Sequence, residues 1–531
     1  MRWLEDGVLI KVLYVHTASN VWKSLIERFE AARWQPVCYC GMGGDDVFLH
    51  HSLRCVPQYS YRDALLGVMP DWIDSLCCLD HDVLSYIEQY ETMLLEIPSR
   101  FEVFGSSLSY EERRDFLYQV VRIFVSILRE LKPDVLVAAS VPHRFVDNVW
   151  HLVCEYYSIP TLYLEHVRIA DRKFVISDLQ DRGISLDSGG VTCGEGLSDD
   201  IRLFWENQRS DYESARPRYL SPEAGFSACA MSRKKRVLRF LGRYPRILVL
   251  LEIVFLLGKG RLGALSGVYC LDRHKRLVWA TERVRAIARA RLSAQILKAR
   301  KFYLSECAVP DYDKPYVYFA PHYQPERSSC PDAGIYHDMA MIAETIAKSL
   351  PQGWSLYYKE HPRALEVPTH PGNPRTVSYY KGLKANCPNI IFLEPDVNPF
   401  DVMDRSRCVA SGTGTSLLQG VLRGKPGLLF GDASFSRAPG IYKIRGVEDC
   451  RCALDEIQDG RTPWGSVEDY LKTVDAVTRR YDLYFKDMIS IRRTGSTVMS
   501  GEVACDNEID CLAKEFIEMF NFVRKQNVKV S

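Results

Sequence analysis

Along the first 180 positions, short solid apolar runs alternate with longer amphipathic ones. Val8–Val15 (VLIKVLYV) and Pro36–Cys40 read as strands, with Val21–Ala32 as a helix between them. Tyr110–Leu131 places Leu117, Val121, Phe124 and Leu128 on one stripe of a long helix. Pro133 stops that helix, and KPDVLVAAS (Lys132–Ser140) opens a buried strand. A helix over Phe145–Tyr157 and a strand over Ile159–His166 continue the alternation. The pattern restarts downstream with a strand over Tyr316–Ala320, a helix over Ile335–Leu350 and a strand over Ser355–Lys359. Ile390–Leu393, Cys408–Ala410 and Gly427–Phe430 add strands, and Ile509–Val523 is a last helix with Leu512, Phe516, Phe520 and Val523 on its apolar side. Alternation at this spacing predicts an α/β chain of two doubly wound, Rossmann-like domains facing a cleft.

A length of 531 residues agrees, being too great for one compact core. The expected division is 1–230 for an N-terminal Rossmann-like domain, 231–305 for a basic helical connection, 306–505 for a C-terminal Rossmann-like domain, and 506–531 for a terminal helix and tail. Charge sets the connection apart. Residues 231–301 hold 19 Lys and Arg against three acids, a net +16, whereas the whole chain carries +1. Arg233 to Arg236 precede an apolar run, and Arg273 to Arg276 open an expected second helix that runs to Lys301. Such a segment suits an anionic membrane surface, at ~1 kcal/mol per well-placed charge. A solvated basic linker is the plainer alternative, and no RNA or DNA motif accompanies the charge, so no nucleic-acid partner is expected.

The 17 cysteines form no CxxC pair, which fits free thiols in a reducing compartment. MRWLEDG has acids where a secretion signal needs bases, and no window approaches the ~20 apolar residues of a spanning helix. A cytoplasmic location is expected, peripheral on the inner face of the membrane if the basic segment binds lipid.

The candidate chemistry sits at strand ends, where open α/β sheets bind ligands. In GWSLYYKEHP (Gly353–Pro362), Lys359, Glu360 and His361 end a strand and Pro362 turns the chain. A histidine there donates to a phosphate or a base carbonyl, and a lysine adds a point charge. In SGTGTSLLQGVLRGKP (Ser411–Pro426), the small residues Ser411, Gly412, Thr413, Gly414 and Thr415 lead straight into a helix, aiming N–H groups and hydroxyls at an anion. Each motif has a plain counterpart, a solvated loop or an ordinary helix cap. FAPHYQPER (Phe319–Arg327) is a third strand-end cluster, with His322, Gln324, Glu326 and Arg327. No DxD-type metal motif stands in such a loop, so no essential metal and no cofactor is expected.

These three runs resemble bacterial capsule and surface-polysaccharide biosynthesis glycosyltransferases of the GT-B type, a group that includes β-Kdo transferases. The His-Pro pair is similar to that of bacterial polysialyltransferases. The resemblance covers about Tyr316–Gly431 well and Pro142–Leu179 more loosely. It implies a C-terminal domain that binds the donor, with His361 on the nucleotide of a CMP-sugar and Ser411, Thr413 and Thr415 near its phosphate. Gln419 stands where many relatives have glutamate.

On the acceptor side a base or nucleophile is required. Glu165 and His166 end a predicted strand, and Asp171 follows. Related families carry an acidic pair here, of which this chain keeps the first. Glu165, then His166, then Asp171 are the catalytic candidates, the plain alternative being a Glu165 pair with Arg168 or Arg172. His143 and Asp147 are candidates for acceptor contact or for capping a helix. The expectation is transfer of a Kdo-like or sialic-acid-like sugar from a CMP donor to a capsule, lipopolysaccharide O-antigen or other lipid-linked or oligosaccharide acceptor. A CDP-polyol phosphotransferase and a non-catalytic membrane-associated scaffold are the rivals.

Overall fold

The computed structural model describes residues 8–41, 49–97, 109–184, 196–215, 265–271, 277–281, 295–324, 326–365, 375–462, 464–479 and 506–530. Two six-stranded sheets organise them. The first comprises β1 (Ile10–Val15), β2 (Trp34–Gly41), β3 (Gln58–Ser60), β4 (Val135–Ala138), β5 (Thr161–His166) and β6 (Lys173–Ile176), in the order β3-β2-β1-β4-β5-β6. All pairs are parallel except β5 with β6. A hairpin of β7 (Leu265–Leu271) and β8 (Leu277–Thr281) stands apart. The second sheet comprises β9 (Tyr316–Phe319), β10 (Ser355–Lys359), β11 (Ile390–Leu393), β12 (Cys408–Ser411), β13 (Gly427–Leu429) and β14 (Ile441–Lys443). Its order, β11-β10-β9-β12-β13-β14, repeats that of the first sheet, and every pair is parallel. Both orders are those of a Rossmann domain.

The helices that bear on the site are α1 (Asn20–Ala31), α2 (Tyr110–Leu131), α3 (Phe145–Tyr156), α4 (Thr415–Leu422) and α5 (Asp506–Val530). Strand alternation sorts the first core into two layers. Leu13, Val15, Leu136 and Ala138 face α2 and α3, while Val12, Tyr14, Val135 and Val137 face α1 and α5. α5 thus returns to the first sheet, where Phe516 meets Trp22 and Phe29 edge-on and Phe520 meets Trp34. In the second sheet, Leu356 and Tyr358 face one core layer, and Tyr357 the other.

A shared apolar layer joins the two halves. Leu417, Leu418, Val421 and Leu422 of α4 pack with Val167, Ile169, Ile184 and Ile201 of the first half. Beside it, Arg172 holds Asp200 through both carboxylate oxygens, at 2.8 and 2.9 Å, and pairs with Asp475 at 2.9 Å. Burying that much apolar surface fixes α4, and the loop before it, against the β5–β6 turn.

Two expectations change, and a third falls on residues that are not described. The basic stretch expected as a helix to Lys301 contains β8, because LVWAT is rich in residues that suit a pleated strand; residues 295–305 are helical. Most of 231–294, and with it the charge cluster at Arg233–Arg236, lies outside the described residues. The helix expected over Ile335–Leu350 is a 3₁₀ turn, Gly334–His337, followed by a separate helix, Met339–Ser349, because the Asp338 side chain accepts from the Ala340 N–H and starts a new helix there.

Candidate active site

In each sheet the strand order reverses once, between β1 and β4 and between β9 and β12. Crevices outside the carboxyl ends at such reversals are where open α/β sheets bind ligands. Glu165, at the carboxyl end of β5, lies 3.4 Å from Arg327, which follows β9. The carboxyl ends of the two sheets therefore face one another.

The β9/β12 crevice is lined by His322 and the small-residue loop. The Thr413 N–H donates to His322 Nε2 at 2.8 Å, so that nitrogen carries no proton. Burial pushes the His322 pKa down to about 4, with Arg375 and Arg168 adding to the effect against Asp332, so the ring is neutral. The loop needs glycine for this approach. A Cβ on Gly412 would stand 2.7 Å from His322 Nε2, and one on Gly414 would stand 2.6 Å from Ser411 Oγ. Ser411 is fully buried; its hydroxyl donates to the Ala320 carbonyl at 3.1 Å and accepts from the Gly414 N–H at 3.2 Å. The Thr413 hydroxyl donates to the Ser328 carbonyl at 2.8 Å. These two hydroxyls thus shape the loop.

α4 begins at Thr415, after Gly414, with no side-chain cap. The N–H groups and hydroxyls of Thr415 and Ser416 have no protein partner among the described residues. Gln419 lies one turn on, half-buried on the same side of the helix as Thr415. A helix start with free donors is an electropositive site for an anion.

At the end of β10, Lys359 is buried, and among the described residues no acceptor lies within bonding distance of its ammonium. Burial pulls its pKa down to about 8, against the nearby Asp396 and Glu360. Glu360 is fully buried and structural. Its Oε2 accepts from Arg375 Nε at 2.7 Å, Tyr380 at 2.8 Å and Tyr358 at 2.9 Å. Arg375 in turn donates to the His322 carbonyl at 2.8 Å, tying the β10 end to the β9 end. His361 Nδ1 accepts from the Arg363 N–H at 3.2 Å, which leaves Nε2 to carry the ring proton, and that donor has no partner among the described residues. Burial, with the cations Arg363 and Lys359 nearby, pushes His361 down to about 3, so it is neutral too. Pro362 opens a 3₁₀ turn, Pro362–Leu365.

Opposite stands the β5–β6 turn. Glu165 is 2% exposed, and its charge meets Arg327 at 3.4 Å and Arg182 at 3.8 Å. Asp332 completes the cluster, 2.8 Å from Arg327 and 3.1 Å from Arg182. Burial opposes ionisation of Asp332, but Arg327 and Arg182 hold its pKa below the usual carboxylate value. The partners of Glu165 are these two arginines, and not Arg168 or Arg172; Arg172 is committed to Asp200 and Asp475. His166 Nε2 lies 3.4 Å from Asp171, both being partly exposed. Arg168, Ala170 and Asp171 all take positive φ, a strained turn for residues that are not glycine.

Of the remaining sequence candidates, Gln324 donates to the His337 carbonyl at 2.6 Å, and Glu326 is exposed. His143 is exposed at the start of α3, where its N–H approaches Asp147 at 3.4 Å. Three residues of the network, Arg375, Arg182 and Asp332, carry no motif in the sequence, and His16, which lies outside that network, is a further residue the sequence reading does not single out. For His16 a signal exists, since it ends a predicted strand as His361 does.

No family model matches the sequence, and no curated protein matches it. Among solved structures, the UDP-GlcNAc 2-epimerase from Methanocaldococcus jannaschii is 14% identical, over 88% of this chain and 98% of that one, with a TM-score of 0.23. The S. aureus MnaA–UDP co-structure is 12% identical, over 87% and 93%, with a TM-score of 0.22. The Thermosulfurimonas dismutans KpsC β-Kdo 2,7 transferase is 15% identical over 34% of this chain and 51% of that one, with a TM-score of 0.21. At scores this low the assignment to two Rossmann-like domains rests on strand order alone. No helix among the described residues is long and apolar enough to cross a membrane.

Proposed function

We propose that the chain is a glycosyltransferase that uses a nucleotide sugar. The observation that carries this reading is the set of unused donors around the β9/β12 crevice. These are the Thr415 and Ser416 N–H groups and hydroxyls at the start of α4, the free Nε2–H of neutral His361, and the unpaired cation of buried Lys359. Together they suit a pyrophosphate or phosphodiester with a nucleoside attached. Among the described residues none bonds to these donors, whereas Glu360 and Arg375 behind them are bonded to one another and to their neighbours. Gln419, one turn into α4, would bond a ribose hydroxyl on this reading. The donor class we favour is a CMP-activated Kdo-like or sialic-acid-like sugar, and the acceptor a surface glycan.

On this reading Glu165 is a positioning residue, whose ion pairs with Arg182 and Arg327 hold the two sheets in register. His166 and Asp171 share a strained turn with Arg168, whose charge is felt at His322 and Asp332. That places the turn beside the donor crevice, where it would touch the transferred sugar or the departing phosphate. The donor cations and N–H groups stabilise charge on that phosphate without need of a metal. The +16 segment over 231–301 would hold the enzyme on anionic lipid; equal sedimentation with neutral and phosphatidylglycerol vesicles would exclude this.

The test is a binding and turnover screen against CMP, CDP, UDP and their sugars. A CMP or CDP ligand should raise the melting temperature, and Thr415→Val with Ser416→Ala should weaken it at least tenfold. No response to any nucleotide would refute the reading. Release of CMP together with transfer of a polyol phosphate would assign the chain to phosphotransfer instead.

A further inference from the structure

The first sheet has a crevice of its own, at the β1/β4 reversal, and it holds a second histidine–carboxylate pair. α1, which follows β1, and α3, which follows β4, pack on opposite faces of the sheet, so the crevice between the strand ends is open. A cavity there is lined by Val15, His16, Ala138, Ser140, Asp147 and Tyr163. His16 Nε2 lies 3.1 Å from Asp147 Oδ1, and the two side chains are each only 11% exposed. The other oxygen of Asp147 accepts from the Arg144 N–H at 3.1 Å, fixing the carboxylate at the start of α3. Burial opposes ionisation of Asp147, but His16, Arg144 and His143 hold its pKa below the usual value.

A carboxylate on Nε2 keeps the ring proton there and leaves Nδ1 as a base. Nδ1 has no protein partner among the described residues. The backbone at His16 has φ of 57°, a left-handed conformation that a non-glycine residue adopts at a cost. Its N–H is tied to the Cys40 carbonyl at 2.9 Å, so the sheet holds the ring in this place. The pair His166–Asp171 is more exposed, at 35% and 58%.

We propose that the His16–Asp147 dyad binds the acceptor hydroxyl and acts as the general base of the transfer. The proposal deepens the glycosyl-transfer reading and rests on it. His16 Nδ1 takes the hydroxyl proton as the acceptor oxygen bonds to the anomeric carbon of the donor. The bond from that carbon to the nucleotide phosphate breaks, and its electron pair leaves on the phosphate. The dyad becomes an imidazolium facing an aspartate, which balances its charge. A single displacement of this kind inverts the anomeric centre. The titratable and charged groups around the dyad are Asp147 from α3, Arg144 and His143 just before that helix, Tyr61 from the helix Tyr61–Leu66, Tyr163 from β5 and Cys40 from β2.

The experiment measures nucleotide release from the nucleotide sugar that binds best among CMP-Kdo, CMP-sialic acid and UDP-GlcNAc, with water and a methyl hexoside as acceptors. His16→Gln and Asp147→Asn should keep the nucleotide Kd within twofold of wild type, which also shows that they fold. Both should slow release by 10²- to 10⁴-fold, the range for a general base. The acid limb of the wild-type pH–rate profile should vanish in His16→Gln. Wild-type rates and an unchanged acid limb in His16→Gln would overturn the base role while leaving the transfer reading intact. If the wild-type protein turns over no nucleotide sugar in the panel, the transfer reading falls and the base role falls with it.

Discussion

Glu360 is the sharpest place to test how the β9/β12 crevice is built. It stands within the KEHP run, yet it is fully buried behind the crevice and bonds to Arg375, Tyr358 and Tyr380. In Glu360→Ala the Arg375 guanidinium keeps the His322 carbonyl at 2.8 Å and a long contact to Gln324 at 3.5 Å, but loses its counter-charge. Removing one partner of a buried ion pair costs about 3–5 kcal/mol. Two tyrosine hydroxyls lose their acceptor as well, at about 1 kcal/mol each, and neighbouring terms are not additive. The expected loss is about 4–6 kcal/mol. For a unit of some 200 residues, each kcal/mol lowers the melting temperature by roughly 2–4 °C. Differential scanning calorimetry should therefore show one transition falling by roughly 10–20 °C. Glu360→Gln, which can still accept from both tyrosines, should fall by about half as much. Glu360→Leu combined with Arg375→Met should recover part of the loss, since apolar replacement of both partners removes the desolvation cost. A fall under about 3 °C in Glu360→Ala, or a double variant worse than the single one, would refute this account of the network.

Three further outcomes follow from the same geometry. Gly412→Ala should push a methyl into His322, break the Thr413 N–H bond and cost about 2–4 kcal/mol, with nucleotide affinity falling alongside stability; calorimetry and titration check both. His322 is neutral when folded, with a pKa of about 4, and takes a proton near 6.5 when unfolded, so the unfolded state binds more protons between those values. Stability should thus be lost as pH falls from about 6.5 to 4, by about 3 kcal/mol from this group, and His322→Asn should flatten that part of the curve of melting temperature against pH. Lys359 is charged below a pKa of about 8, so nucleotide affinity should weaken as pH rises through 8; Lys359→Met should bind more weakly at pH 7 and lose that dependence in calorimetric titration.

The sequence was most legible where length and burial agree. Tyr110–Leu131, Ser355–Lys359 and Ile390–Leu393 stand at their expected boundaries, since each is either a long stripe or a short strand buried on both faces. β3, β6 and β14 have three or four residues each, all lie at a sheet edge, and all three include polar side chains, so no long apolar run marks them. At the site, the motifs located the crevice but not the division of labour within it. Ser411 and Thr413 look like phosphate ligands by composition, yet their hydroxyls close the loop. Glu165 reads as a catalytic acid until Arg182 and Arg327 are placed, and those partners come from remote parts of the chain with no local signal. His16 needed no remote information, since it follows a buried strand as His361 does, but no neighbouring motif draws attention to it.

The return of α5 to the first sheet gives the chain an order of assembly. Trp22, Phe29 and Trp34 find their edge-on partners in Phe516 and Phe520, nearly five hundred residues later. During synthesis the outer face of the first sheet stays open to water while the whole second sheet is made. At translation speeds of ~5–20 residues per second, that aromatic surface is bare for about half a minute or more. A chaperone that recognises exposed aromatic residues therefore has its longest opportunity at the sheet synthesised first. The last 25 residues act as the closing half of a core whose opening half was made at the start.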